Sequence, residues 1–184
     1  MSERRYWFPK PYADRVAKLR VPAGFVLIAA FLYFAAPDTR SLAVGVPVAF
    51  VGLCLRAWAA GHLEKNRQLA VSGPYRFVRN PLYLGTLIVA LGFAIAARRR
   101  EVAILFAVVF GGVYLPVIEL EEQHLRKLFP SYEEYASRVP QLIPRLRGPG
   151  NPRPFAWRLY MVNQEYKAAL GFVAGLAVLL WKAL

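Results

Sequence analysis

Five apolar runs, Val21–Ala36, Ser41–Gly61, Leu82–Ala97, Val102–Ile118 and Ala168–Trp181, take up most of this 184-residue chain. The shorter runs give about 24 Å of helix, slightly less than the ~30 Å hydrocarbon core of a bilayer. Flanking tyrosine, tryptophan, lysine and arginine side chains can snorkel to make up the difference. A soluble protein of this length, 57% hydrophobic, would need a far larger polar shell to cover such helices. The expected fold class is all-α and integral to the membrane, with about five transmembrane helices and a small cytoplasmic helical cap. Three regions follow: residues 1–61 as an interfacial segment and two spans, 62–145 as a core containing the hairpin 82–118, and 146–184 as a Pro-rich linker and last span.

The net charge of +13 raises the question of nucleic acid, and the placement of the charges answers it. Basic residues concentrate in 1–20, in 62–81 and in 119–167, which a five-span topology places on one face. The opposite face keeps Arg40, the triplet Arg98-Arg99-Arg100 and Lys182. By the positive-inside rule the first face is cytoplasmic, with the triplet as the exception. Attraction to anionic lipid explains the basic excess without DNA or RNA. Arg4, Arg5, Tyr6, Trp7, Phe8 and Tyr12 suggest an aromatic, basic interfacial segment ahead of the first span. Residues 1–20 also make too long an n-region for a signal peptide. The single cysteine, Cys54, lies mid-span and excludes an intramolecular disulfide.

The two spans joined by Arg98–Arg100 form a hairpin, so the polar stretches flanking it, 72–85 and 119–124, return to one membrane face. The first of these contains a Ser72-Gly73-Pro74 break and then a helix start, with Asn80 as N-cap and Pro81 at the first helical position. Such a start leaves the Leu82 and Tyr83 amides facing the polar stretch, an anion site. The second is expected to prolong its span as helix to about Leu128, stopped by Pro130. Ser131-Tyr-Glu-Glu134 then has the pattern of a capping box opening a short helix, with Tyr132 and Tyr135 on one face. Arg79 beside a helix N-terminus suits a carboxylate or phosphate, whereas Glu121 and Glu122 suit an ammonium group or sugar hydroxyls. A ligand with an amino acid and a ribose satisfies all of them. Alternatively, Arg79 simply bridges Glu121 or Glu122 and locks the cap to the hairpin.

The pattern Gly73-Pro-Tyr75…Arg79-Asn-Pro-Leu-Tyr83-Leu-Gly85, followed by Glu121-Glu122…Leu125…Phe129…Tyr132…Tyr135…Val139-Pro140…Pro144, resembles the isoprenylcysteine carboxyl methyltransferases and the related phospholipid methyltransferases. The resemblance covers roughly residues 62–145. It implies an integral-membrane enzyme that uses S-adenosyl-L-methionine without a Rossmann domain. Its site would lie on the cytoplasmic side of a bacterial or archaeal membrane, and its acceptor would be a small lipophilic molecule among membrane lipids. By position it implies cofactor contacts at Gln68, Leu69, Ala70, Tyr75, Asn80, Pro81, Leu82, Tyr83 and Glu121, with Arg79 and Glu122 as the catalytic pair. Two positions depart from the family. Asn80 stands where histidine is usual, which favours positioning over acid–base work because an amide does not titrate near neutrality. Val117 stands where the prenylcysteine enzymes carry an arginine thought to hold the substrate carboxylate, which turns the expectation towards an amine or lipid head group. Glu119 or Glu122 would then steer or deprotonate such an amine.

Three other readings remain open at this stage. An Arg-x-Pro-x-Tyr arrangement also occurs in NADPH-dependent sterol reductases, although Glu121-Glu122 would repel a 2′-phosphate. Glu121 and His124, spaced i,i+3, match one element of a di-metal site, but His62 is the only other histidine. A non-enzymatic scaffold is suggested by Gly171-Phe-Val-Ala-Gly175, a GxxxG pattern that serves intramolecular packing as readily as dimerisation. Arg56, inside the second run, is expected to pair within the bundle or snorkel.

Overall fold

Helix–helix contact through glycine organises the molecule. The computed structural model describes residues 8–146, 148 and 153–184, so the expectations for Arg4, Arg5, Tyr6, Trp7 and Arg147 fall outside the described residues. These residues form α1 (Lys10–Phe34), α2 (Thr39–Ala60), α3 (Pro81–Ala97), α4 (Arg100–Leu128), α5 (Tyr132–Arg138), α6 (Trp157–Val162) and α7 (Tyr166–Ala183), plus a 3₁₀ turn over Gly73–Arg76. No strand occurs among the described residues. α1, α2, α4 and α7 are long and apolar enough to cross a membrane, and α3 is a shorter apolar helix of 17 residues. The architecture is that of an all-α membrane protein, as expected from the apolar runs.

α2 and α3 are the most tightly joined pair. Gly45 and Gly52 on α2 face Gly92 and Gly85 on α3, each pair one heptad apart. A Cβ added at Gly45 would lie 2.5 Å from the Ala96 amide nitrogen, and one at Gly52 would lie 2.6 Å from that of Val89. Only bare backbone fits there, the small-residue solution to helix packing in lipid, where apolar burial offers no driving force.

At the far end, the loops Pro37–Asp38 and Arg98–Arg99 come together. The Ala36 amide donates to the Ala97 carbonyl at 3.0 Å, Arg98 pairs with Asp38 at 2.5 Å, and Lys182 donates to the Ala35 carbonyl at 2.9 Å. This gathers Arg98 and Lys182 at one end, in keeping with the charge-derived topology. A capping box starts α2: Asp38 accepts from the Ser41 amide while the Ser41 hydroxyl accepts from the Asp38 amide. The box expected at Ser131 does not form. Ser131 is in the right-handed helical region and makes no side-chain cap, and the Tyr132 amide closes a turn onto the Phe129 carbonyl instead. Glu133 is drawn to Arg126 and Glu134 to Arg138. The short helix is nevertheless present, with the Tyr132 and Tyr135 rings in edge contact 6.0 Å apart.

Residues 10–20 are not a separate interfacial segment but the first three turns of α1, which passes Pro22 without breaking. The proline removes only the amide that would reach back to Lys18, where the helix is exposed. α1 is fixed to α4 at its cavity end. The Phe8 amide donates to Glu119 Oε2 at 3.2 Å, and the Tyr12 hydroxyl donates to the Gly112 carbonyl at 2.7 Å. That carbonyl sits in a π-helical turn over Phe110–Tyr114, where the Leu115 amide reaches back five residues to Phe110. Pro116 brings no amide to Gly112 four residues earlier, so the Tyr12 hydroxyl supplies a donor. Tyr12→Phe is expected to cost about 1 kcal/mol of stability, read as a lowered unfolding temperature in detergent.

Candidate active site

The stretch of chain between α2 and α3 is irregular, shaped by its own turns and by contacts from other parts of the chain. The Gly61 carbonyl accepts from the Ala156 amide, and both ring nitrogens of His62 face carbonyl oxygens, Trp58 at 2.9 Å and Arg153 at 3.0 Å. Arg153 in turn donates to Gln68 at 3.1 Å. Gly73 adopts φ +56 and lies so close to the His62 ring that an added Cβ would come within 2.6 Å of it, so glycine is required twice over. The Tyr135 hydroxyl then fixes the Tyr75 carbonyl at 2.7 Å.

α3 begins as expected, with Asn80 at the N-cap position and Pro81 after it, but the Asn80 side chain does not cap. It donates to Glu122 Oε1 at 2.9 Å and to the Gln141 carbonyl at 3.3 Å. Beside it, Arg79 forms a two-pronged pair with Glu122, Nε to Oε1 at 2.8 Å and Nη2 to Oε2 at 3.0 Å. Its Nη1 donates to the Ala136 and Val139 carbonyls, both at 2.9 Å. Burial opposes the charge of Arg79, yet the hydrogen bonds and charge of Glu122 outweigh it and raise its pKa further. Of the two sequence alternatives for Arg79, the bridge to Glu122 is the one the geometry makes. The Arg79 amide also donates to the Pro140 carbonyl at 2.8 Å, so the start of α3, the end of α4 and α5 are tied into one unit. The i,i+4 contact between Glu122 and Arg126 is present but long, at 3.9 Å.

In front of this unit lies a cavity of about 390 Å³, within the usual range of small-molecule sites. Gln68, Leu69 and Ala70 form one wall, Tyr75 and Asn80–Tyr83 a second, and Glu121 a third, so the structure brings every residue expected to contact a cofactor to one cavity. Arg79 also lines it, whereas Glu122 is buried behind. The α4 wall is a helical stripe, Val117, Leu120, Glu121, His124 and Leu125. The Tyr83 hydroxyl donates to Glu121 Oε2 at 2.8 Å. Glu119 faces away and accepts from Phe8. Sequence reasoning missed Ala17 and Arg20, which close the cavity from α1. No motif marks them, and only the continuation of α1 through residues 10–20 brings them in.

The cavity suits a ligand with a polar and an aromatic end. Tyr132 lines it with its side chain, and its hydroxyl is buried beside Glu122 with no direct hydrogen-bond partner among the described residues. Burial, with the nearby Glu122 charge, pushes the Tyr132 phenol up, and burial does the same for Tyr75 and Tyr135; all three stay neutral and able to donate. The first-turn amides of α3 have no intrahelical acceptors and suit a carboxylate. Glu121 and Glu64 suit an ammonium or sulfonium group, and Leu69, Leu125 and Phe129 offer apolar surface for a base. No group of three or more His, Cys, Asp or Glu side chains could hold a metal ion among the described residues.

The phospholipid methyltransferase family matches residues 46–132, the segment from mid-α2 to the start of α5. Over 105 residues the chain is 38% identical to the cobalt-zinc-cadmium resistance protein CzcN of Cupriavidus metallidurans, covering 56% of this chain and 47% of that protein. It is 35% identical over 86 residues to a protein-S-isoprenylcysteine O-methyltransferase of Schizosaccharomyces pombe, covering 46% of this chain and 36% of that enzyme. Over 80 residues it is 38% identical to a Delta(14)-sterol reductase of Mus musculus, covering 42% of this chain and 19% of that enzyme. The matched stretch thus spans about half the length of these relatives or less. No solved structure matches the chain. The segment that supplies most of the cavity, residues 46–132, is thus similar to the phospholipid methyltransferase family and to isoprenylcysteine O-methyltransferases.

Proposed function

We propose that the protein transfers a methyl group from S-adenosyl-L-methionine to the polar head of a lipophilic acceptor at the cytoplasmic rim of the membrane. The observation that carries this reading is that three cavities lie in series, neighbours sharing lining residues. The polar cavity shares Arg20, Leu82, Tyr83 and Glu121 with a second of about 550 Å³. The second shares Gly24, Ile28, Thr86 and Tyr114 with an apolar cleft of about 540 Å³ between α1, α3, α4 and α7. A water-soluble cofactor would take the polar chamber and an alkyl chain the apolar one, with the middle cavity between them, bordered by Tyr83 and Glu121 on the polar side and by Thr86 and Tyr114 on the apolar side.

When bound, the cofactor supplies an electrophilic methyl on a positive sulfur: the acceptor–carbon bond forms as the carbon–sulfur bond breaks, and the electron pair stays on sulfur. The chain's own contribution is alignment and exclusion of water. Gln68–Ala70, Tyr75, the α3 amides and Glu121 would hold the cofactor. Tyr83 orients the Glu121 carboxylate. Arg79 and Glu122, occupied with each other, act by positioning Asn80 and the start of α3 rather than by touching the acceptor. Glu119, engaged by the Phe8 amide, is poorly placed to take a proton from an amine.

Isothermal titration of the purified chain with S-adenosylhomocysteine and with NADPH tests the reading. Binding of the first and no heat from the second is expected. The reverse result would favour the reductase reading, which draws on the similarity to the mouse sterol reductase. Glu121→Gln is expected to weaken S-adenosylhomocysteine about tenfold, the worth of one hydrogen bond to a charged group. A methyl-labelled cofactor incubated with extracted membrane lipids would then identify the acceptor.

A further inference from the structure

Arg56 and Glu165 form an ion pair that the matched segment does not contain in full. Arg56 lies on α2, but Glu165 immediately precedes α7, beyond residue 132. Arg56 Nε meets Glu165 Oε1 at 2.6 Å and Nη2 meets Oε2 at 3.0 Å, while Nη1 donates to the Leu82 carbonyl at 3.3 Å and to the Thr86 hydroxyl. The side chains are 24% and 7% exposed. Charged groups among apolar helices are costly, and apolar residues of similar volume often replace a buried pair with no loss of stability. Stability alone is therefore a weak reason for this pair.

Its location supplies a better one. Both side chains line the middle cavity, between the polar chamber and the apolar cleft. Arg56 grips Leu82 and Thr86, and Thr86 borders the middle cavity and the cleft. Glu165 anchors the start of α7, whose Gly171, Ala174 and Gly175 wall the cleft. Asn163, two residues earlier, adds a second tie, donating to the Ala60 and Leu63 carbonyls at 2.9 Å each. The N-terminus of α3 is held separately, through Asn80, Glu122 and Pro140. The cofactor wall is therefore held chiefly by contacts other than the Arg56–Glu165 pair, which reaches it only through the Leu82 carbonyl.

We infer that Arg56 and Glu165 are positioning residues for the acceptor: their pair holds α7 against α2 and α3, so that an alkyl chain in the cleft presents its head to Tyr83 and Glu121. Acceptor fit then depends on the C-terminal segment as well as on the matched one. This rests on the methyl-transfer reading above.

The test uses the full chain in nanodiscs, with Glu165→Gln and the double variant Arg56→Met/Glu165→Leu, which keeps volume and leaves no unpaired charge. Three quantities are read: S-adenosylhomocysteine affinity by calorimetry, labelled methyl incorporation from S-adenosylmethionine into total membrane-lipid extract, and photolabelling by a long-chain alkyl diazirine mapped by mass spectrometry. Expected are unchanged S-adenosylhomocysteine affinity, incorporation reduced about a hundredfold, as for a small misplacement of reacting groups, and loss of alkyl labelling on residues 171–178. Wild-type incorporation and labelling in the double variant would overturn the inference. So would a parallel fall in cofactor affinity, which would assign the pair to the cofactor chamber or to folding. If the wild-type chain bound no S-adenosylhomocysteine, the methyl-transfer reading would fail on its own, and retention or loss of alkyl labelling in the variants would still decide what the pair does.

Discussion

Glu122→Ala is expected to destabilise the protein by about 3–5 kcal/mol, because it strands the two-pronged Arg79 guanidinium in a half-buried site. Against a typical total of about 5–15 kcal/mol, a loss of that size removes much of the folded population. It also removes the shorter of the two bonds that hold the Asn80 side chain, so the cavity wall and the fold weaken together. The measurement is thermal unfolding in detergent alongside S-adenosylhomocysteine binding. Arg79→Met/Glu122→Leu should recover most of the stability, since no charge is left unpaired, but not the binding, since Asn80 loses its Glu122 acceptor and keeps only the longer bond to Gln141. An unfolding temperature for Glu122→Ala within error of wild type would show that the clamp is not what joins α3 to α4.

Gly92→Val has a comparable expected cost by a different route. An added Cβ meets the Ala49 amide nitrogen and lies 2.6 Å from the Gly45 carbonyl, so backbone, not a pliable side chain, would have to move. Overpacking costs about 1–3 kcal/mol where neighbours can adjust. Here the two helices must separate along their length, so the loss should reach or exceed the top of that range. Gly171→Ala provides the control: nothing lies within 4 Å of its added Cβ. A helical glycine replaced by alanine should gain about 0.5–1 kcal/mol. Equal effects of the two substitutions on the yield of folded protein would refute the contact described between α2 and α3.

The elements of this molecule were legible because each rests on a local cue. Apolar run length located the long helices, and Asn80-Pro81 and Pro130 marked a start and a stop. The convergence of the two polar stretches was legible too, since a hairpin must return its ends to one face. What could not be read was which side chain takes which partner. Asn80 has the right type and position for a cap, yet its side-chain NH2 donates to Glu122, 42 residues away, and its oxygen makes no cap to the local amides. Ser131 carries the capping-box spacing, but Arg126 and Arg138 draw its glutamates aside. Arg20 and Glu165 reach the cavities only through the packing of α1 and α7, and packing angles leave no trace in a one-dimensional pattern.

The five-residue wide turn at Phe110–Tyr114 sets the rotational phase of everything after it. Each residue inserted into or removed from a helix spins the downstream part by about 100°. Without that insertion, Glu121 would leave the Tyr83 hydroxyl and Glu122 would swing off Arg79, although every residue downstream were kept. The placement of the acidic doublet is thus geared to a wide turn a bilayer's half-depth away, and an indel at Gly111-Gly112 would disarm the site without touching it.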